Sequence, residues 1–303
     1  MSRNHLVPGA VVALTIGLAL AGCATDKPGA TDETTSSAYV PAPPSSTVKR
    51  PAPGPSMAQA TGRLGAAALQ LNKRLEPLGL NQKVAVAITP VGVPAAPIVI
   101  GDAAPQVAWS TIKVPLAIAA ERKKGAMMPQ TVAAISASDN DAAQALWNSL
   151  GTNEEAAAAV TRVLREAGDT KSVVPSTQKR PPYTIFGQTS WSAASAARFT
   201  AGMACLPDSA RVRQLMGRVD ANQQWGATTM KTPVEVKGGW GPGVSGGYVV
   251  RQNALITHRD GSQTAVAMVT FGPGTTMESG TAALNHVGAW LSAQSKNLPR
   301  GYC

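Results

Sequence analysis

The stretch YVVRQNALITHRDGSQTAVAMVTF, residues 248–271, contains two apolar runs separated by an Asp-Gly pair. The runs at 248–258 and 264–271 are rich in β-branched side chains, which favour extended backbone. Asp260-Gly261 is a typical hairpin turn, because glycine readily takes a positive φ. The stretch therefore predicts two antiparallel strands joined by a tight turn.

Other strand-like segments lie at both ends of the folded region. Residues 84–88 and 98–100 come early, and 234–237 precedes the hairpin. Helical spacing of apolar residues predicts helices in the rest of the chain, near 59–77, 110–120, 129–136, 140–149, 153–167, 191–204 and 277–294. Strands at both ends with a helical block between them cannot alternate as βαβ units. The sequence thus predicts an α+β fold, in which both ends of the chain form a five-stranded antiparallel sheet that is packed with helices.

The composition indicates a globular chain and excludes several function classes. The 303 residues are 44% apolar and 15% charged, which is enough apolar content for a sizeable core. The content of 3 Phe, 4 Tyr and 6 Trp argues against a stacking platform for single-stranded nucleic acid. Three cysteines and three histidines without a C-x-x-C pair argue against a zinc site, so we expect no metal and no cofactor.

The first 22 residues have the features of an export signal. Arg3 is followed by an apolar run at 11–20, which is too short to span a bilayer as a mature helix. The ending Leu20-Ala21-Gly22-Cys23 resembles the lipobox of bacterial lipoproteins, in which the cysteine is lipidated after cleavage. We therefore expect Cys23 to anchor the protein to the extracytoplasmic face of a cell membrane. The alternative is an ordinary secretory signal that ends before a chance cysteine.

A tether and a domain are expected to follow the signal. Residues 23–59 are rich in Pro, Ser and Thr and cannot bury enough surface to fold, so they predict a disordered tether. Residues 60–303 then form the domain. Export exposes thiols to oxidation, and we expect Cys205 and Cys303 to form a disulfide that fastens the C-terminus.

The positive charge belongs mainly to the folded part. Of the net +10, residues 63–303 carry +9. A basic surface favours anionic partners such as lipid headgroups, cell-wall polymers or nucleic acid. Because an exported chain rarely meets nucleic acid, we expect no nucleic-acid partner.

Ser110-Thr111-Ile112-Lys113 places a hydroxyl and an amine three residues apart at the start of a predicted helix. Both side chains then lie on one face. A lysine that loses its proton in a partly desolvated site can accept the serine proton, and free backbone N–H groups at the helix start can stabilise an oxyanion. The same four residues also fit a capping serine followed by a surface lysine.

Two further motifs follow Ser110-Thr111-Ile112-Lys113 along the chain. Ser138-Asp139-Asn140 lies between two predicted helices, where a hydroxyl can relay a proton and an amide can hold a substrate. Lys237-Gly238-Gly239 ends the strand predicted at 234–237, where a cation can pair with a carboxylate. This series of S-x-x-K, S-D-N and a variant of K-[TS]-G resembles the active site of the serine β-lactamases and penicillin-binding D,D-peptidases. The segment STIKVPL at 110–116 is also similar to the nucleophile segment of class A β-lactamase-related proteins.

The resemblance covers roughly residues 60–295 and implies a β-lactamase/transpeptidase-like fold. It implies that Ser110 is the nucleophile, that Lys113 is its base and that Ser138 relays a proton. The backbone N–H groups of Ser110 and Trp240 would form the oxyanion hole. The substrate would be bound by Asn140, Lys237, Gly239 and Trp240. The implied partner is a β-lactam or a peptidoglycan peptide, and we expect a monomer.

Three departures from the family pattern bear on activity. Only 28 residues separate Ser110 from Ser138, so part of the helical domain is trimmed. Gly238 lacks the hydroxyl that would bind a substrate carboxylate, and the loop at 169–188 lacks the glutamate that would drive deacylation. Glu166 fits the last turn of a helix and is interpreted as structural. We expect weak or absent β-lactamase turnover, and the alternative is an inactive lipoprotein that binds cell-wall material.

Competing patterns have simpler interpretations. Ser245 lies in a G-x-S-x-G match, but a strand follows it and not a helix, so the glycine-rich run predicts a turn. His258 is interpreted as an exposed strand end and His286 as part of a helix face. We expect three tryptophans at apolar helix positions to belong to the core: Trp147, Trp191 and Trp290.

Overall fold

The computed structural model describes residues 54–76 and 83–303. The predicted signal at 1–22, the lipidation site Cys23 and the predicted tether up to residue 53 lie outside the described residues. The first helix, α1 (Met57–Leu75), begins within the last residues assigned to the tether. Ser56 caps it, because its side chain accepts a hydrogen bond from the Gln59 backbone while the Gln59 side chain accepts one in return.

Both ends of the chain contribute to one antiparallel sheet, as the sequence predicted. Its strands are β1 (Lys83–Pro90), β2 (Ile98–Gly101), β5 (Val234–Pro242), β6 (Tyr248–Thr257) and β7 (Gln263–Phe271). Their spatial order is β2-β1-β7-β6-β5. The predicted hairpin is β6 and β7, and Gly261 has a φ of +78° in its turn. The short strands β3 (Gln106–Val107) and β4 (Ser190–Trp191), which the sequence did not predict, form a separate pair.

Helices cover both faces of the sheet. The other helices of the described chain are α2 (Lys113–Lys124), α3 (Pro129–Val132), α4 (Asn140–Ser149), α5 (Asn153–Glu166), α6 (Ala193–Met203), α7 (Ala210–Met216) and α8 (Met277–Ala293). Helix α8 packs on one face together with α1, and α6 packs on the other. No helix in the described ranges is long and apolar enough to cross a bilayer.

Alternation along the strands divides the core into two main layers. Ala85 and Val269 belong to the layer that contains α2, α5 and α6, whereas Val86 and Met268 belong to the layer that contains α1 and α8. The three tryptophans expected in the core are buried, which confirms that prediction: Trp147, Trp191 and Trp290. Helix α2 is buried from Lys113 to Ala120, so the element that follows Ser110 runs through the interior.

The C-terminus is fastened as predicted. Cys205 and Cys303 form a disulfide with their Cα atoms 5.2 Å apart. The segment before Cys303 lies against β7, since Gly301 pairs with Gln263 and the Thr264 hydroxyl donates to Pro299 O at 2.7 Å. This segment also covers His258, which is only 9% exposed and whose Nε2 lies 2.8 Å from Thr264 Oγ1. The prediction that His258 is an exposed strand end was therefore wrong.

Candidate active site

Ser110 lies immediately before the buried helix α2. Residues Trp109–Ile112 form a 3₁₀ turn that leads directly into α2. Pro115 falls in the first turn of α2, where a backbone N–H has no partner within the helix, so the proline is accommodated. Ser110 is partly exposed and lines a cleft of about 500 Å³.

Several elements form the walls of this cleft. Ser138 and Asn140 contribute from one side, Tyr183 and Thr184 from the loop at 168–189, and Trp240 from β5. The structure thus brings Ser110, Lys113, Ser138, Asn140 and Trp240, which are far apart in sequence, to one cavity.

Lys113 is buried beneath the cleft with oxygen acceptors around its amine. Its Nζ donates to Ser138 O at 2.5 Å, to Asp139 O at 3.1 Å and to Asn140 Oδ1 at 2.8 Å. Burial lowers the pKa of Lys113 from 10.5 to about 7, although the charge of Asp139 acts in the opposite direction. A substantial fraction of Lys113 is therefore neutral near pH 7 and able to accept a proton.

Lys237 lies deeper and does not line the cleft. It is fully buried, and its Nζ donates to Ser138 Oγ at 2.9 Å, to Gly238 O at 3.0 Å and to Gln223 Oε1. Burial, reinforced by the charge of Lys113, holds the pKa of Lys237 well below its usual value. Lys237 is thus connected to the cleft by its hydrogen bond to Ser138. That Lys237 binds a substrate carboxylate directly stays a prediction.

Gln223 is a site residue that sequence reasoning missed. It is fully buried in the 3₁₀ turn Ala221–Gln223. Its Oε1 accepts from Lys237 and from the Gly238 N–H, while its Nε2 donates to Ile135 O at 3.0 Å and Ser136 O at 2.7 Å. It therefore ties β5 to the π-helical turn Ala133–Ala137, which Ser138 follows. A glutamine in a polar connection carries no periodicity or motif that would reveal this role.

The glycines of the third motif lie in the middle of β5, which corrects the prediction that they end a strand. A Cβ on Gly239 would come within 2.9 Å of the backbone nitrogens of Ser110 and Thr111. Glycine therefore lets the strand pass directly beside the start of the nucleophile turn. A Cβ on Gly238 would lie 2.8 Å from the Trp225 ring, so this ring fills the space where a hydroxyl side chain would stand.

Backbone strain accompanies the two serines. Trp109, which precedes Ser110, has a φ of +46°, and Ser138 itself has a φ of +63°. Residues other than glycine rarely adopt this left-handed backbone conformation, and those that do cluster at functional sites. Asp139 fixes the second of these positions, because its side chain accepts from Ala142 N at 2.6 Å and caps α4.

The loop at 168–189 closes one end of the cleft without a carboxylate. Arg180 donates from Nη1 and Nη2 to Pro242 O, both at 3.2 Å, and its guanidinium lies 5.8 Å from the Trp109 ring. Asp169 is buried and accepts from Trp191 Nε1 at 2.9 Å. Glu166, the last residue of α5, pairs with Arg122 at 2.6 Å. Of the described residues, Asp141 is the carboxylate that lines the cleft.

The described residues contain no group of three or more His, Cys, Asp or Glu side chains placed to hold a metal ion.

Comparisons with solved structures identify the fold. No protein-family model and no curated protein sequence matches the chain. Among solved structures, the class A β-lactamase of the last common ancestor of Gram-negative bacteria is 20% identical, with a TM-score of 0.56 and coverage of 76% of this chain and 99% of its own. A β-lactamase from Burkholderia vietnamiensis is 20% identical at a TM-score of 0.56, with coverage of 77% and 96%. A mutant of PBP-A, in an acyl-enzyme complex with penicillin G, is 17% identical at a TM-score of 0.57, with coverage of 78% and 98%. The chain has the fold of the serine β-lactamases and penicillin-binding proteins.

Proposed function

We propose that the protein is a serine hydrolase that acts through an acyl-enzyme on Ser110. The observation that carries this proposal is the pairing, in one cleft, of a partly exposed serine with a buried lysine whose pKa lies at about 7. The fold supports it, because a mutant of PBP-A, which shares that fold, forms an acyl-enzyme with penicillin G.

The proposed reaction has the following steps. Neutral Lys113 accepts the proton of Ser110 as Ser110 Oγ bonds to the substrate carbonyl carbon. The backbone N–H groups of Ser110 and Trp240 stabilise the oxyanion. When the carbon–nitrogen bond breaks, the proton passes to the leaving amine through the Ser138 hydroxyl, which Lys237 Nζ holds at 2.9 Å.

Deacylation is the slow half of the proposed reaction. Hydrolysis of the ester on Ser110 requires a base that activates water. In the described part of the chain, the carboxylate that lines the cleft is Asp141, next to Asn140 at the start of α4. The loop at 168–189, where the family that the chain resembles carries its deacylating glutamate, presents none, because Asp169 is engaged with Trp191. We therefore propose a penicillin-binding or peptidase-like protein with little β-lactamase turnover.

The proposed substrates are β-lactams or peptidoglycan peptides, and the proposed location follows from the sequence. A lipid on Cys23 would hold a monomeric domain at the extracytoplasmic face of a cell membrane, where both substrate types occur.

Intact mass after incubation of the full chain with benzylpenicillin tests the proposal. We expect a stable adduct on the wild type and on Ser245→Ala, which removes the exposed serine of the competing G-x-S-x-G match. The Ser110→Ala variant should remain unmodified. Rapid loss of benzylpenicillin without an adduct would contradict slow deacylation.

A second function is favoured by one observation. Lys237 is fully buried and absent from the cleft wall, so its charge is not presented to a substrate carboxylate. An inactive lipoprotein that binds cell-wall material would have this property. Absence of both adduct and turnover, together with peptidoglycan binding that survives Ser110→Ala, would support it over the hydrolase.

A further inference from the structure

A second cavity, of about 390 Å³, shares no lining residue with the active-site cleft. Cations from four separate segments converge on it. Lys231 follows the 3₁₀ turn Gly226–Thr229, Arg259 lies in the turn between β6 and β7, Lys296 follows α8, and Arg300 is near the C-terminus. We call this cavity the basic pocket.

Counter-charges are scarce at the basic pocket. Within the described ranges, Lys231, Arg259 and Lys296 form no ion pair, and no carboxylate lines the cavity. Arg300 reaches Asp260 only at 3.7 Å, and its Nε is buried without a hydrogen-bond partner. Like charges brought together in this way repel one another and destabilise the fold, unless an anion joins them.

The chemistry of the lining suits a phosphate group. Two hydroxyl side chains, Ser292 and Ser295, stand among the cations and can donate to phosphate oxygens. Arginine and lysine donate charge-assisted hydrogen bonds to phosphate, and the guanidinium can do so with two nitrogens. The floor of the cavity is buried, since Ile256 and His258 are 0% and 9% exposed.

The start of the described chain lies near one residue of this pocket, Arg300. A Cβ on Gly54 would come within 2.5 Å of Arg300 Cγ, so the segment that leads from the predicted tether meets the domain beside Arg300.

We propose that the basic pocket binds a phosphate group, carried by a soluble compound or by a lipid headgroup. The site is separate from Ser110, so it stands whether or not the protein forms an acyl-enzyme.

Pyrophosphate titration of the full chain by calorimetry tests the site. The pocket variant combines Lys231→Ala, Arg259→Ala and Lys296→Ala, whereas the control variant combines Lys124→Ala, Lys171→Ala and Arg218→Ala. All six residues are exposed, and both variants lower the net charge from +10 to +7. We expect saturable binding to the wild type and to the control. The pocket variant should lose about fivefold in affinity for each cation removed, and hence roughly 100-fold in total.

Vesicles distinguish the two sources of phosphate. Sedimentation with phosphatidylcholine vesicles, with and without phosphatidylglycerol, is compared among the three proteins. If the pocket variant alone loses the phosphatidylglycerol-dependent part of binding, a headgroup is the ligand, and if it loses pyrophosphate only, the ligand is soluble. Equal losses in both variants, or no saturable binding of pyrophosphate or of phosphatidylglycerol vesicles to the wild type, would overturn the proposal. Melting temperatures confirm that all three proteins are folded.

Discussion

At the scale of single residues, Lys113 shows how burial prepares a base. A lysine amine in water keeps its proton near pH 7, whereas desolvation disfavours the charged form. The acceptors around Lys113 Nζ are two backbone carbonyls and an amide oxygen, none of which carries a full negative charge. Burial therefore prevails over the more distant charge of Asp139, and the pKa falls to about 7.

This pKa predicts the pH dependence of acylation. Lys113 must be neutral to accept the Ser110 proton, so the acylation rate should rise as pH increases through about 7 and then level off. Lys113→Arg keeps a positive charge at every pH tested, and we expect it to acylate roughly 100-fold more slowly or worse. The measurement is the rate of adduct formation with benzylpenicillin between pH 5 and about 9. A flat profile, or normal acylation by the arginine variant, would exclude Lys113 as the base.

Some residues of the site could be predicted from the sequence, and others could not. Ser110 and Lys113 share a helix face because of their spacing, whereas their convergence with Ser138 and Asn140 was implied by the resemblance of the motif series to a known active site. Gln223 could not be found in this way, because its role depends on the contact of a 3₁₀ turn with β5, which no local pattern encodes.

At the scale of elements, the turn Ala221–Gln223 joins two parts of the site. Gln223 connects β5 to the segment before Ser138, and Asn222 adds a bond from Nδ2 to Ala137 O at 3.0 Å. Ser138 has a left-handed φ of +63°, so its backbone needs support from its surroundings. Gln223 is thus placed to act as a positioning residue for Lys237 and Ser138.

Loss of Gln223 should disturb both stability and chemistry. Gln223→Leu leaves the Lys237 amine and the carbonyls of Ile135 and Ser136 short of partners, which costs about 1–3 kcal/mol. We expect the acylation rate constant to fall while the dissociation constant of the non-covalent benzylpenicillin complex changes little. Stopped-flow kinetics well below the melting temperature separates the two constants.

The neighbouring glutamine provides a matched control. Gln224 is exposed and donates one side-chain bond, to Val219 O at 3.0 Å, so Gln224→Leu should change stability by less than about 0.5 kcal/mol. If both variants acylate at the wild-type rate, Gln223 serves the fold alone.

Regular elements were predictable and irregular ones were not. Helix α4 follows its predicted bounds, because Asp139 caps a clear apolar periodicity. Helix α7 and the pair β3 and β4 are too short to produce a periodic signal. Strand β5 extends beyond Lys237, although glycine usually interrupts strands. Glycine is needed here because a Cβ on Gly239 would collide with the backbone of Ser110.

At the scale of the whole molecule, the sheet is completed by strands from both ends of the domain. Strand β1 from the start pairs with β7 from near the end, so the central strand contacts depend on residues about 180 positions apart. The sequence was sufficient to predict this arrangement, because strand-like runs flank one helical block. It also predicted the disulfide, because the expected lipidation of Cys23 would leave Cys205 and Cys303 as the remaining pair.

The disulfide should contribute several kcal/mol to the free energy of unfolding. Cys205 and Cys303 are 98 residues apart, and a closed loop of that size restricts the unfolded chain by about 4.7 kcal/mol. The C-terminal segment is also held by the Gln263–Gly301 pairing and by the Thr264 bond to Pro299 O, so the folded state should survive without the disulfide.

Urea unfolding of the double variant Cys205→Ser, Cys303→Ser tests this contribution. We expect a loss of about 2–5 kcal/mol relative to the oxidised wild type, and acylation of Ser110 should persist because neither cysteine lines the cleft. Reductant should lower the stability of the wild type to that of the variant and leave the variant unchanged. Equal urea midpoints for the oxidised wild type and the variant would show that the loop is already restrained in the unfolded chain, and that contacts of β7 alone secure the C-terminus.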